Sequence, residues 1–138
     1  MAAKEITVGM KGSSCFRVTE DMLASKVGSG LVEVFATPMM IGAVENTAAA
    51  SVQDALGEGK TTVGILVNVR HVAATPEGME VRIETEVTEV LSGGMVITFK
   101  VECFDEEGLI GDGTHQRAVV DKARFEQKAA AKKERNAH

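Results

Sequence analysis

The sequence predicts an α+β domain in which an antiparallel sheet wraps around one long helix. Residues from Thr37 to about Leu56 repeat apolar side chains at helical spacing. Four segments after it are strand-like, most of them alternating apolar and polar residues with the period of two of a half-buried strand. An antiparallel sheet with one wet face must bury the other. The one long apolar helix is the element available to cover it.

Two short β-prone pieces open the chain, residues 4–8 and 13–19, separated by Gly9 and by Lys11-Gly12-Ser13. Thr19-Glu20-Asp21 precede a helical turn over Met22 to Val27, and Gly28-Ser29-Gly30 is a flexible joint. The long helix begins at Thr37-Pro38. Thr37 reads as the N-cap, and Pro38 at the first helical position has the right φ and no donor to waste. Gly57 and Gly59 end the helix. Ile41, Val44, Ala48, Val52, Ala55 and Leu56 form its apolar stripe, while Gly42, Asn46, Ala50, Gln53 and Asp54 fall on the other side.

The first of the four strands covers 63–71, where Val63, Ile65, Val67 and Val69 alternate with Gly64, Leu66, Asn68 and Arg70, and it reads as largely buried. In the second, Met79, Val81, Ile83, Thr85 and Val87 alternate with charged residues and Thr88, which leaves one face wet. Ser92-Gly93-Gly94 is a hairpin turn. Met95, Ile97, Phe99, Val101 and Cys103 continue the apolar face. Lys100 and Glu102 are placed to pair with charges on the preceding strand. Asp105-Glu106-Glu107-Gly108 turns the chain into a last strand over roughly 109–121. From Lys122 the composition of Ala, Lys, Glu and Gln indicates a surface helix running into a basic tail.

The length of 138 residues suits one domain with one core, residues 1–138, flanked by an N-terminal segment (1–12) and a C-terminal helix and tail (122–138). With five Phe and no Trp or Tyr, Met and β-branched residues must fill much of the core. A formal charge of −5 argues against nucleic acid as the main partner. Cys15 and Cys103 stand far apart in no CxxC pair and read as buried thiols of a reducing cytoplasm. No apolar run of signal-peptide or membrane-spanning length is present.

Glu45 is the anomalous residue. It lies four residues after Ile41 and seven before Val52, so it projects from the buried stripe. An ionised carboxylate there costs several kcal/mol of desolvation, on the order of a lost buried ion pair, unless it is paired or wet. It is therefore a good helix former at the stripe edge, a carboxylate in a polar pocket, or a general base or nucleophile. His71 ends the strand 63–71, as a structural histidine or as a proton donor and electrophile. His115 lies on the last strand and His138 is the final residue. No HxxxH, HxH or CxxC spacing occurs, so no protein-built metal site is expected. Thr37 is by default a cap, but that position also sets its hydroxyl beside the amides of Met39 and Met40, donors suited to an oxyanion or a thioester carbonyl. Gly64, inside a strand, signals close backbone approach or a bulge.

Together these pieces resemble the fluoroacetyl-CoA thioesterase family of hotdog proteins, over residues from about 32 to 125. The matching strings are Val34-Phe35-Ala36-Thr37, Met40 to Glu45, and Gly64 with Val69 and His71 before Ala73-Ala74, Pro76 and Gly78. Gly113-Thr114-His115 with Arg117-Ala118-Val119 completes them. The resemblance implies a hotdog fold and hydrolysis of a small acyl-CoA to the free acid and CoA. Thr37, Glu45 and His71 would be catalytic, and Gly64, His71 and Arg117 would contact the substrate. It further implies a homodimer with sites at the subunit interface, and no cofactor beyond the CoA of the substrate. One segment departs from the family pattern. The stretch before the helix, Lys26-Val27-Gly28-Ser29-Gly30-Leu31, carries no aromatic residue, so the resemblance extends to thioester handling and not to fluoroacyl selectivity. Two other classes fit the same residues: a non-catalytic acyl-CoA-binding hotdog module, and a hydroxyacyl-CoA lyase or dehydratase using the same acid/base pair.

Overall fold

The computed structural model describes residues 5–136. Strand β1 (Lys11–Arg17) leads through a 3₁₀ turn (Glu20–Met22) and a single-turn helix α1 (Ala24–Val27) to the long helix α2 (Thr37–Gln53). Strands β2 (Lys60–His71), β3 (Glu80–Leu91), β4 (Val96–Asp105) and β5 (Gly108–Asp121) follow, and helix α3 (Lys122–Arg135) closes the chain. The five strands form one antiparallel sheet in the order β1-β3-β4-β5-β2, with α2 packed on β1, β2 and β3. The expected wrapping of sheet around helix is what the chain adopts.

The core is the contact between one stripe of α2 and the inner face of the sheet. Met40, Val44, Thr47, Ala48 and Val52 are the buried helical residues. They meet Val81, Ile83 and Val87 of β3 and Ile97, Phe99, Val101 and Cys103 of β4. Within each strand these residues are separated by two or four positions, so one pleat face delivers all of them to the helix. Each fully buried aliphatic side chain contributes roughly 1.5–3 kcal/mol. Valine is the commonest residue of this core, and Met40 is the one methionine buried in it among the described residues.

Several expectations are corrected. Of the piece at 4–8, the described residues 5–8 form no strand: the Met10 amide closes a turn on the Thr7 carbonyl, Gly9 and Met10 bond Val87 outside the ladder, and the regular pairing with β3 begins at Lys11. Cys15 is exposed rather than buried, and only Cys103 is interior. The register sets Lys100 opposite Glu86, as expected, but Glu102 faces Glu84, whose ion pair is with Arg82 of its own strand. Strand β2 is not largely buried. It is the sheet edge, and Ile65, Leu66 and Val67 are 52%, 47% and 39% exposed. An apolar run reads alike whether protein or a second surface covers it, which is why composition misplaced this strand. His138 lies outside the described residues.

Candidate active site

The helix start is built differently from the expected cap. Ala36, not Thr37, is the N-cap, and no side chain caps the helix. The Ala36 carbonyl accepts from the amides of Met39 (3.1 Å) and Met40 (3.0 Å), so the two donors expected to stay open are already used. Thr37 is the first helical residue, and its hydroxyl lies 2.8 Å from Nδ1 of His71. Tertiary contact has overridden the local Thr-Pro capping signal, because the hydroxyl bonds an imidazole from β2 instead of the helix backbone.

His71 is the last residue of β2 and packs edge-on to Phe35, with ring centroids 6.3 Å apart at 74°. Burial pushes its pKa below the usual histidine value, with the Ala73 backbone opposing. The ring is therefore neutral at physiological pH. Its Nε2 is buried and has no hydrogen-bond partner. Beside it opens a cavity of about 330 Å³ lined by Phe35, Thr37, His71, Ala73 and the Ser29–Gly30 loop. A buried polar atom left unpaired carries a desolvation cost on the order of 1–3 kcal/mol.

Glu45 stands two turns further along α2. Eight residues at 1.5 Å rise put it roughly 12 Å along the axis from Thr37. It is at the edge of the buried stripe rather than its middle, with a side chain 41% exposed, so water covers part of the desolvation cost expected of it. Its Oε2 faces Gly64, where β2 bulges between Gly64 and Leu66. The expected bulge at Gly64 is present, and what approaches the glycine is the Glu45 side chain rather than another backbone. Oε2 also lies 3.5 Å from Nη1 of Arg117, which β5 sets directly opposite Gly64. Burial lowers the Arg117 pKa and Glu45 counters it, but a guanidinium keeps its charge regardless.

The structure thus gathers the predicted residues into two groups: Thr37 with His71, and Glu45 with Gly64 and Arg117. Among the described residues no hydrogen bond or ion pair joins the two groups within the chain. Two further members escaped sequence reasoning. Arg117 donates through Nε to Thr62 Oγ1 (2.7 Å) and through Nη2 to the Thr62 carbonyl (3.0 Å), and Nη1 meets His115 Nε2 at 3.2 Å. The available signal was periodic: His115 and Arg117 share a β5 face with core residue Val119, and two polar side chains on an apolar face require partners. Among the described residues, no group of three or more His, Cys, Asp or Glu side chains is arranged to hold a metal ion.

Residues 18–123 match the family model described as fluoroacetyl-CoA-specific thioesterase. The fluoroacetyl-CoA thioesterase of Streptantibioticus cattleyicolor is 35% identical over 100 residues, which span 72% of this chain and 70% of that protein. The solved structure of the fluoroacetyl-CoA thioesterase FlK superposes with a TM-score of 0.88 at 29% identity, covering 94% of this chain and 98% of that one. A hot-dog-like protein from Thermanaerovibrio acidaminovorans has the same fold, with a TM-score of 0.83 at 20% identity over 96% of this chain and 95% of its own.

Proposed function

The chain belongs to the fluoroacetyl-CoA-specific thioesterase family and is an acyl-CoA thioester hydrolase; on that premise we propose how its residues divide the work and what it acts on. The substrate is a small acyl-CoA, cleaved to the free acid and CoA. The observation that carries the reading is the orphaned Nε2 of His71 beside a cavity at the start of α2. When Thr37 donates its hydroxyl proton to Nδ1, the neutral ring carries its own proton on Nε2, a donor that a thioester carbonyl could take up. His71 then polarises the carbonyl as a neutral donor. Glu45 attacks the carbonyl carbon to give a mixed anhydride and CoA thiolate, which takes up a proton, and water cleaves the anhydride. Alternatively Glu45 removes a proton from the water that attacks. In either course one water is consumed and acid and thiol are released. Gly64 lets the thioester approach β2, and Arg117 balances the Glu45 charge.

The two groups of residues meet if the protein is a homodimer. Strand β2 is an edge with unpaired backbone groups and exposed Ile65, Leu66 and Val67, a surface suited to a second copy. Antiparallel pairing of two β2 edges about a two-fold axis between Val67 and Asn68 would set Gly64 and Glu45 beside His71 of the partner subunit. Each dimer would then hold two complete sites. A cytoplasmic location accords with the unpaired thiols of Cys15 and Cys103. No helix among the described residues is long and apolar enough to cross a membrane.

The deciding experiment is an acyl-CoA panel with free-thiol detection on wild type and Glu45→Ala. Thiol release by wild type, strongest for short acyl groups and lost in Glu45→Ala, is expected. Undiminished hydrolysis by the variant removes Glu45 from the mechanism. Loss of the enoyl absorbance of crotonyl-CoA without thiol release would point to hydration chemistry instead. The segment Lys26–Leu31 has no aromatic side chain, and Leu31 is 97% exposed, so acetyl-CoA and fluoroacetyl-CoA are expected to be hydrolysed alike.

A further inference from the structure

His115 is a buried titratable group that the hydrolytic steps leave unused, yet both of its nitrogens are committed. The ring is fully buried and stacked on Phe99 of β4, with centroids 6.1 Å apart. Nδ1 lies 2.8 Å from the Leu66 carbonyl at the β2 bulge. A carbonyl only accepts, so Nδ1 carries the proton and Nε2 presents a lone pair. That lone pair faces Arg117 Nη1 at 3.2 Å. Thr62 holds the guanidinium on its other side through Nε and Nη2. One Nη1 hydrogen remains to face Glu45, at 3.5 Å, longer than a direct hydrogen bond.

A free guanidinium beside a carboxylate closes to a short, two-pronged pair. Here Thr62 and His115 engage three of its N–H groups, and its contact with Glu45 is a single one of 3.5 Å. We propose that His115 is a positioning residue that, by accepting from Arg117, keeps the guanidinium from closing on Glu45, so that the carboxylate stays oriented and free to react. This inference rests on the reading of Glu45 as the reacting carboxylate. The charged groups facing His115 are Arg117 on its own strand and Glu45 on α2; β4 offers the apolar Phe99 and β2 the Leu66 carbonyl. Burial holds the imidazole pKa below its usual value and Arg117 adds to this, against the Leu66 carbonyl and Glu45. The ring therefore keeps its acceptor lone pair at neutral pH.

The test compares His115→Phe, His115→Asn and His115→Gln in acetyl-CoA hydrolysis across pH, with Glu45→Gln in parallel. Phe offers no acceptor, and the Asn amide is too short to span Leu66 and Arg117. Both variants should lose kcat on the order of tenfold to a hundredfold, with KM changed by less than about threefold. The acid limb of kcat/KM should move to lower pH, because a carboxylate paired tightly with a guanidinium holds its charge further into acid. His115→Gln reaches both partners and should recover most of the rate and return the acid limb. If His115→Phe does not fold, the Asn and Gln variants decide the question. Wild-type kcat and an unmoved limb in His115→Asn overturn the proposal. So does an equal loss in Asn and Gln with the limb unmoved, the result of a merely structural role. Full activity in Glu45→Gln is a different failure, that of the carboxylate mechanism itself.

Discussion

Gly64 and Glu45 occupy complementary halves of one space: a Cβ at Gly64 would overlap Oε2 of Glu45. The glycine is required by the carboxylate and not by backbone strain, since its φ lies outside the left-handed range. Gly64→Ala should therefore displace a flexible, half-exposed carboxylate and leave the fold nearly intact. The expected outcome is a stability change below about 1 kcal/mol in denaturant unfolding and a loss of kcat on the order of a hundredfold. Equal losses of stability and rate would show that Gly64 serves the strand instead.

How much of this was legible in the sequence divides along the range of the contacts. The helix and four strands follow from periodicities that each segment carries by itself, and Gly64 stood out as a glycine inside a strand. Thr37 was visible as a polar residue before Pro38, but its partner, His71, lies 34 residues away and takes the hydroxyl from the expected cap. The pairing of Glu45 with Arg117 depends on the β2–β5 register that sets Gly64 opposite Arg117, which no local pattern encodes. His115 and Thr62 were missed for the same reason. The edge position of β2 was hidden because a strand awaiting a second surface is as apolar as a buried one.

Thr37 separates capping from catalysis. Replacing a true N-cap threonine by alanine costs about 1 kcal/mol, but Ala36 holds the cap here and Thr37 bonds His71. Thr37→Ala should lower stability by only a few tenths of a kcal/mol while reducing kcat by roughly a hundredfold. Thr37→Ser keeps the hydroxyl and should retain most of the rate. Thermal unfolding alongside steady-state kinetics checks both. A full capping loss with unchanged kcat would return Thr37 to a structural role.

Acidification should destabilise the protein through its two described histidines. Burial lowers the pKa of both His71 and His115 from the ordinary value of 6.5. As pH falls through 6.5 the unfolded chain takes up protons before the folded one does, and stability declines with the excess protons bound by the unfolded state. Their contribution is fully present above that pH and is lost as the pH falls toward the lower folded values. Tm should be flat above about pH 7 and begin to fall as the pH drops below about 6.5, ahead of the carboxylate range. His115→Gln should make that fall shallower. An identical slope in wild type and variant would show that His115 contributes nothing to the linkage.

Separation of Thr37–His71 from Glu45–Arg117 within one chain makes subunit complementation the direct test of a shared site. Glu45→Gln and His71→Ala should each be inactive as purified proteins. After mixing and subunit exchange, half of the dimers are mixed. In each of these, one site combines the intact Glu45 of one chain with the intact His71 of the other, while the second site carries both defects. About a quarter of wild-type activity should return, from one working site in half of the dimers. Recovery should vanish when Leu66→Asp is added to both chains, because a charge on the exposed β2 edge opposes pairing. Sedimentation should then show monomers that retain the folded circular dichroism spectrum. Mixed variants that exchange subunits without regaining activity would place Glu45 and His71 in a single subunit's site, and the β2 edge would then have no part in catalysis.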